Sequence, residues 1–276
     1  MSNRLCIYHQ ACNDGACAAA VVYMKYGPDT EFIEWQYSWE GVPNVTDRDV
    51  IMVDFSFKGR QLEYIIDECK SLLIIDHHIG HEEEIEAICN KSSKATYIFD
   101  NEKSGASLAY QHFYPTMDQP YVIKLVEDRD LWKFTDLWTH EFYAGSRLRH
   151  LEIIDWVRLI TEEERVSDII SNGKIILQYQ KNLLEPYKKR QHPRSIVSGK
   201  LIPFIPCTHL ISEVGNILCA GEHFSCTYFD TAERRVYSLR SDEKGMDVSE
   251  VAKYYGGGGH RHAAGFSLDY NDERLI

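Results

Sequence analysis

The chain has 276 residues, of which 44% are hydrophobic and 26% are charged, a composition that excludes disordered, collagen-like and disulfide-scaffold classes. Its 42 acidic and 30 basic residues give a net charge of −12, which argues against a broad footprint on long nucleic acid but not against a small anionic ligand bound beside a metal ion. No apolar run approaches the roughly 20 residues that span a bilayer, and the first residues lack a signal-peptide pattern, so we expect a cytoplasmic protein that does not bind membranes.

The first 130 residues alternate between strand and helix patterns. Two continuous apolar runs, DVIMVDF (49–55) and SLLIID (71–76), are typical of parallel strands covered on both faces. Shorter strands are predicted at RLCIY and TYIF (96–99), and helices at 14–26, 58–70, 81–88 and 104–113. This βαβ series predicts a doubly wound α/β domain with a parallel sheet over residues 1–150.

The remainder of the chain changes character twice. Residues 151–194 are charged and helical in pattern, which predicts a helical connector with a boundary near Pro186. Strand-like segments return from Ser195, followed by a helical pattern and four glycines, so residues 195–276 are predicted to form a smaller α+β domain. The eight cysteines include no CxxC pair, and several lie in apolar stretches, so we expect buried, reduced thiols.

Polar, metal-competent side chains follow the predicted strands. His9 ends the first strand, Asp54 follows VIMV, and Asp76-His77-His78 follows LLII, with Asp14 close behind His9. Ligands of open α/β sheets bind at the carboxyl ends of the strands, and burying three polar groups is costly unless they are paired or coordinated. Mixed His and Asp ligands favour Mn²⁺, Mg²⁺, Fe²⁺ or Zn²⁺.

These motifs carry a resemblance to a known family. The string IIDHHIGH, preceded by IYHQACNDG and VDF, resembles the DHH phosphoesterase superfamily, in particular its oligoribonuclease branch. The C-terminal YYGGGGHRHAAGF resembles the glycine-rich domain associated with that superfamily. The two signatures occur in the expected order and together span nearly the whole chain.

The resemblance implies a role for each matching residue. It assigns Asp54 as a bridge between two ions, His78 to the substrate phosphate, and Asp76 to orienting its neighbours. The implied metal ligands are His9, Asp14, Asp54, His77 and Asp128. Asp128 is preferred to Asp130 because it directly follows the apolar run YVIKLVE; Asp130 is interpreted as a capping or ion-pairing acid. The implied cofactor is Mn²⁺, with Mg²⁺ or another divalent cation as alternatives.

The C-terminal signature implies a substrate-binding role. Glycines let backbone N–H groups approach an anion closely, so Gly257, Gly258, Gly259 and His260 are candidates for binding the far phosphate or nucleotide. Arg240, in the strand-like YSLRS, matches an arginine that this kind of domain supplies to the substrate. The active site is expected in the cleft between the two domains.

One residue departs from the family pattern. Most members carry an Asp-x-Asp pair after the histidine, whereas this chain reads Cys12-Asn13-Asp14. Cys12 is interpreted as a small core thiol, with ligation as a thiolate as the alternative. The number of bound ions, one or two, is therefore left open.

The predicted function is that of a hydrolase. Metal-activated water would cleave phosphodiester or phosphomonoester bonds of short oligonucleotides, dinucleotides or nucleotide bisphosphates. The alternatives are a single-strand-specific exonuclease and a nucleotide-binding regulatory module with a weak centre. The partner is a short oligonucleotide or nucleotide, and a homodimer is left open.

Overall fold

A computed structural model describes residues 3–274 of the chain. The chain divides into two compact units, the first ending at Leu177 and the second beginning at Gln178. In the described residues, no helix is long and apolar enough to cross a membrane. The eight cysteines are free, and all but Cys12 are buried, as expected.

The first unit is built on a five-stranded sheet in the order β2-β1-β3-β4-β5, and every pairing in it is parallel. The strands are β1 (Arg4–His9), β2 (Thr30–Trp35), β3 (Asp49–Val53), β4 (Ser71–Asp76) and β5 (Ala95–Phe99). The chain winds outward from β1 to β2 on one side and from β3 to β5 on the other. The switch between these directions lies between β1 and β3.

Helices cover both faces of this sheet. Successive residues of β1, such as Cys6 and Ile7, belong to two separate apolar clusters because successive side chains of a strand point to opposite faces. The helices of the first unit are α1 (Asn13–Tyr26), α2 (Gly59–Glu68), α3 (Glu82–Cys89), α4 (Gly105–Phe113), α5 (Tyr121–Asp130), α6 (Thr139–Ser146) and α7 (Ile153–Thr161). The predicted strands and helices of this part agree with those observed to within a few residues.

Helix α8 (Glu164–Lys189) is 26 residues long and contains the division between the two units. The sequence predicts a boundary near Pro186, but the helix continues through Pro186 for three more residues. A proline so close to a helix end disrupts only the last turn, where its missing N–H removes a single bond of the ladder. The predicted connector boundaries at 151 and 194 stay predictions.

The second unit contains a six-stranded mixed sheet in the order β10-β11-β9-β8-β7-β6. Its elements are β6 (Arg194–Val197), β7 (Lys200–Pro206), α9 (Ile211–Leu218), β8 (Ser225–Asp230), β9 (Arg234–Arg240), α10 (Val248–Tyr254), β10 (Gly258–His260) and β11 (Ala263–Asp269). Only the β7–β8 pair is parallel. The predicted fold class, a doubly wound α/β part followed by a smaller α+β part, is confirmed.

Candidate metal centre

The carboxyl ends of β1, β3 and β4 bring polar side chains to one edge of the parallel sheet. His9 is the last residue of β1, Asp54 directly follows β3, and His77 and His78 directly follow β4. Since β1 and β3 are neighbours at the switch in strand order, this edge is where open α/β sheets form their ligand crevice.

Asp54 lies at the middle of this group. Its Oδ1 is 3.1 Å from His77 Nε2 and 3.9 Å from His78 Nδ1, and its Oδ2 is 3.6 Å from His9 Nδ1. The residue has a left-handed backbone with φ +54° and is anchored by its N–H, which donates to the carbonyl of Ile75 at 3.0 Å. A non-glycine residue in this conformation is uncommon and marks a position that its surroundings constrain.

Asp14 reaches the same point from helix α1. Its Oδ2 accepts a hydrogen bond from the backbone N–H of Gly105 at 2.6 Å, and its Oδ1 accepts one from Ala106 at 2.9 Å. These are the first N–H groups of α4, so the positive end of that helix favours the carboxylate. The same Oδ2 is 3.6 Å from His77 Nε2.

Gly105 is required for this arrangement. A Cβ at this position would lie 2.7 Å from the Cβ of Asp54 and 3.1 Å from Oδ2 of Asp14. Both distances are shorter than ordinary van der Waals contact. The absence of a side chain therefore lets the N-terminus of α4 approach the two carboxylates.

The last acid of the cluster is Asp130, not the predicted Asp128. Asp130 Oδ2 is 3.5 Å from His77 Nε2. Asp128 instead accepts hydrogen bonds from the N–H and hydroxyl of Thr135, the N–H of Asp136 and the hydroxyl of Thr139. It thereby fixes the loop after α5. Asp130, which the sequence predicted to be a capping or ion-pairing acid, lies beside His77 in the cluster.

Asp76 holds the two histidines in place. Its Oδ1 accepts from the backbone N–H of His77 at 2.8 Å and from that of His78 at 3.3 Å, and it is 2.8 Å from His78 Nδ1. The hydroxyl of Ser56 donates to its Oδ2 at 2.8 Å. Asp76 therefore contacts both histidines, and the hydrogen bond at Nδ1 of His78 leaves its Nε2 for a ligand.

The charged groups of the cluster shift one another's pKa values. Burial and the neighbouring carboxylates raise the pKa of Asp14 and of Asp130. Burial lowers the pKa of His77, but its hydrogen bond with Asp54 and the surrounding carboxylates outweigh burial and raise that pKa to about 9. Burial also opposes ionisation of Asp54, yet its pKa lies below the usual value because His77, His9 and His78 surround it.

These residues fit a divalent cation. Within residues 3–274, Nδ1 of His9 and Oδ2 of Asp54 are buried without a hydrogen-bond partner, which is costly unless another group satisfies them. Three overlapping sets have potential ligand atoms within 4.8 Å of one another: His9, Cys12 and Asp54; Asp54, His77 and His78; and Asp14, His77 and Asp130. Imidazole and carboxylate donors suit Mn²⁺, Fe²⁺ or Zn²⁺.

Cys12 is half-buried and belongs to the first of these sets. Burial, together with the negative charges of Asp54 and Asp14, raises the pKa of its thiol. A thiol with a raised pKa is a weak ligand unless a cation displaces its proton. The position therefore allows either of the two interpretations made from the sequence.

A cavity of about 440 Å³ adjoins the cluster. Its lining includes His9, Asp14 and Asp130 of the cluster, together with Arg129, Tyr143 and Arg147. Sequence reasoning did not find the last three residues, because nothing in their spacing distinguishes them from surface residues of α5 and α6.

The candidate residues of the second unit lie at the ends of β9 and β10. Arg240 is half-buried, and its guanidinium donates to the carbonyl of Leu239 at 2.7 Å and to the hydroxyl of Ser212 at 2.8 Å. Gly258, Gly259 and His260 form β10 and are exposed. A Cβ on Gly257 would lie 2.1 Å from the carbonyl oxygen of Gly265, so this glycine is explained by close packing against β11.

Comparisons with known proteins add to this geometry. No family model matches the chain. The chain is 30% identical over 286 aligned positions to an uncharacterized protein of Acanthamoeba polyphaga mimivirus, covering 95% of this chain and 66% of that protein. It is 24% identical over 287 positions to oligoribonuclease NrnB of Bacillus subtilis, covering 92% of this chain and 70% of NrnB. The chain thus spans about two thirds of the length of these relatives.

A solved structure shares the fold. The pGpG-specific phosphodiesterase PggH of Vibrio cholerae superposes with a TM-score of 0.58 at 15% identity, covering 98% of this chain and 94% of PggH. This likeness shows a shared fold, and the match to NrnB adds sequence similarity to an oligoribonuclease.

Proposed function

We propose that this chain is a metal-dependent phosphoesterase that hydrolyses phosphodiester or phosphomonoester bonds of short oligonucleotides, dinucleotides or nucleotide bisphosphates. The observation that carries the proposal is the convergence on His77 Nε2 of oxygens from Asp14, Asp54 and Asp130, at 3.6, 3.1 and 3.5 Å. Three carboxylates around one imidazole are stable together when a cation neutralises them. Similarity to an oligoribonuclease over 92% of the chain supports the substrate class.

The residues that would hold the metal are His9, Asp14, Asp54, His77 and Asp130. Asp54 would serve two ions, with Oδ1 at 3.1 Å from His77 Nε2 and Oδ2 at 3.6 Å from His9 Nδ1. When bound, divalent cations lower the pKa of water and neutralise charge on phosphate oxygens. Mn²⁺ is the first ion to test, given the mixed His and Asp donors.

His78 and Asp76 would act on the phosphate. Burial lowers the pKa of His78, but the hydrogen bond with Asp76 and the nearby Asp54 outweigh it, so the pKa lies above the usual value. The raised pKa favours the protonated ring, whose Nδ1 lies 2.8 Å from Oδ1 of Asp76. Nε2–H can then stabilise the phosphate or donate its proton to the leaving oxygen.

The second unit is proposed to bind the substrate through Arg240, Gly257, Gly258, Gly259 and His260. A guanidinium is suited to bidentate contact with a phosphate. We expect Arg240→Ala to raise KM more than it lowers kcat, whereas Arg234→Ala, which removes an exposed arginine paired with Asp269 at 2.8 Å, leaves both unchanged. An unchanged KM in Arg240→Ala contradicts the binding role.

The test of the function is a substrate panel with Mn²⁺, comprising dinucleotides, nucleotide bisphosphates, cyclic dinucleotides and longer single strands. The purified chain is expected to hydrolyse the short substrates, and His77→Ala and Asp54→Ala to abolish hydrolysis without loss of folding. His81→Ala is the matched control, because this exposed histidine of the same loop lies beside Glu84, outside the cluster. Preference for longer single strands favours the exonuclease alternative.

Saturable nucleotide binding without hydrolysis of any substrate indicates a regulatory module instead. Near-normal activity in His77→Ala or Asp54→Ala contradicts the metal assignment itself.

A further inference from the structure

The cavity beside the metal cluster is lined by two arginines, Arg129 and Arg147. In the described chain, neither Arg129 nor Arg147 forms a hydrogen bond or a close ion pair with a carboxylate. Both line the cavity. Their guanidinium carbons lie 4.4 and 5.6 Å from the centre of the Tyr143 ring, so two positive charges are held beside one aromatic ring.

Two arginines nearby in the sequence do form ion pairs. Arg149, two residues after Arg147, is 3.5 Å from Asp155, and Arg158 is 3.8 Å from the same carboxylate. Arg129 and Arg147, in contrast, have aromatic rings and no close carboxylate as their described contacts. Their two positive charges line a cavity that also contains His9 of the metal cluster, which points to an anionic ligand bound beside that cluster.

The contacts of Arg129 hold it in place. Its guanidinium lies 4.4 Å from the centre of the Trp132 ring and 5.5 Å from that of Phe134, in addition to Tyr143. Stacking against aromatic faces fixes the plane of a guanidinium and leaves its N–H edge free to donate. Such a preorganised donor loses little conformational freedom when it binds an oxyanion.

We propose that this cavity binds a second, non-scissile phosphate of the substrate, with Arg129 and Arg147 as the donors. The inference rests on the proposed function and names the part of the substrate that this cavity recognises. A terminal phosphate next to the scissile bond would supply the negative charge that the two arginines complement. The chain should therefore discriminate between the 5′-phosphorylated dinucleotide pApA and the dinucleoside monophosphate ApA, which lacks that group.

Binding to the metal-free protein, where metal-dependent turnover is absent, tests the site directly by calorimetry. The wild type is expected to bind pApA at least about tenfold more tightly than ApA, the value of one charge-assisted contact. Arg147→Gln should lose that preference by weakening pApA about tenfold while leaving ApA unchanged. Arg147→Lys, which keeps the charge, should recover part of it, and Arg149→Gln should match the wild type.

Equal binding of pApA and ApA by the wild type, or equal weakening of both in Arg147→Gln, overturns the proposal. Turnover with Mn²⁺ separates this outcome from failure of the proposed function. If ApA and pApA are hydrolysed but Arg147→Gln has no selective effect, the function stands and the phosphate site does not. If no substrate is hydrolysed but pApA binding depends on Arg147, the site stands and the hydrolytic function does not.

Discussion

Two aspartates in one turn of α5 are predicted to have opposite effects when neutralised. Asp128→Asn replaces an acceptor of hydrogen bonds from Thr135, Asp136 and Thr139. The new amide NH₂ cannot accept from the N–H of Asp136, so one charge-assisted bond is lost at a cost of about 2 kcal/mol. This corresponds to a decrease in Tm of about 4–8 °C for a chain of this size.

Asp130→Asn removes a charge that opposes folding. Burial and Asp54 raise the pKa of Asp130 in the folded state above its unfolded value. An acid with this shift costs stability at neutral pH, where it must be ionised beside other carboxylates. The metal-free variant is therefore expected to have the same Tm as the wild type or a higher one. Its affinity for Mn²⁺ should decrease at least about tenfold, because an uncharged amide replaces a carboxylate ligand.

A single assay measures both effects. Tm is recorded for the wild type and the two variants without metal and over a series of MnCl₂ concentrations, since a ligand raises Tm according to its concentration relative to Kd. Asp128→Asn should start at a lower Tm and keep the metal-dependent increase. Asp130→Asn should start at an equal or higher Tm and lose most of that increase. The reverse pattern would refute the placement of Asp130 in the cluster and restore Asp128.

Three further predictions concern the same centre. Gly105→Ala should reduce Mn²⁺ affinity at least about tenfold, because its Cβ would lie 2.7 Å from Asp54 Cβ. The control Gly245→Ala is equally crowded, at 2.8 Å from a carbonyl oxygen outside the cluster, and should retain the wild-type affinity. Equal Mn²⁺ affinities of the two variants would contradict this reasoning. Because the pKa of His77 is about 9 without metal, stability from its charge is fully present below about pH 6.5 and is lost as pH rises through 9. Mn²⁺ must displace that proton, so calorimetric affinity should rise from pH 6 towards pH 9, and an affinity independent of pH would exclude His77 as a ligand. Cys12→Asp should tighten Mn²⁺ binding, and an unchanged Kd would place this position outside the ligand sphere.

The strands could be predicted from the sequence because their apolar patterns follow directly from burial. DVIMV and SLLIID are apolar on both faces, as a sheet covered by two layers of helices requires, and they form β3 and β4. Since parallel strands carry their carboxyl ends to one edge, placing His9, Asp54 and His77 together needed no further information. The same local logic identified α4 from its periodicity, but not its contact with Asp14.

The choice between Asp128 and Asp130 could not be made in this way. The two residues are two positions apart on one helix and therefore point in different directions. Which direction faces the sheet edge depends on how α5 packs, and the loop with Thr135 and Thr139 decides the fate of Asp128. In the same way, Arg129 and Arg147 meet at Tyr143 only because α5 and α6 pack together.

The amino-acid sequence alone therefore determined the layered α/β architecture and the imidazoles and carboxylates at the ends of its strands, because hydrophobic periodicity is a local property of the chain. The tertiary structure alone decided which acid of α5 lies in the cluster, why position 105 requires a glycine, and that Arg129 and Arg147 line the cavity beside the cluster. Each of these depends on distances between segments far apart in the chain, which are set by the packing of helices on the sheet.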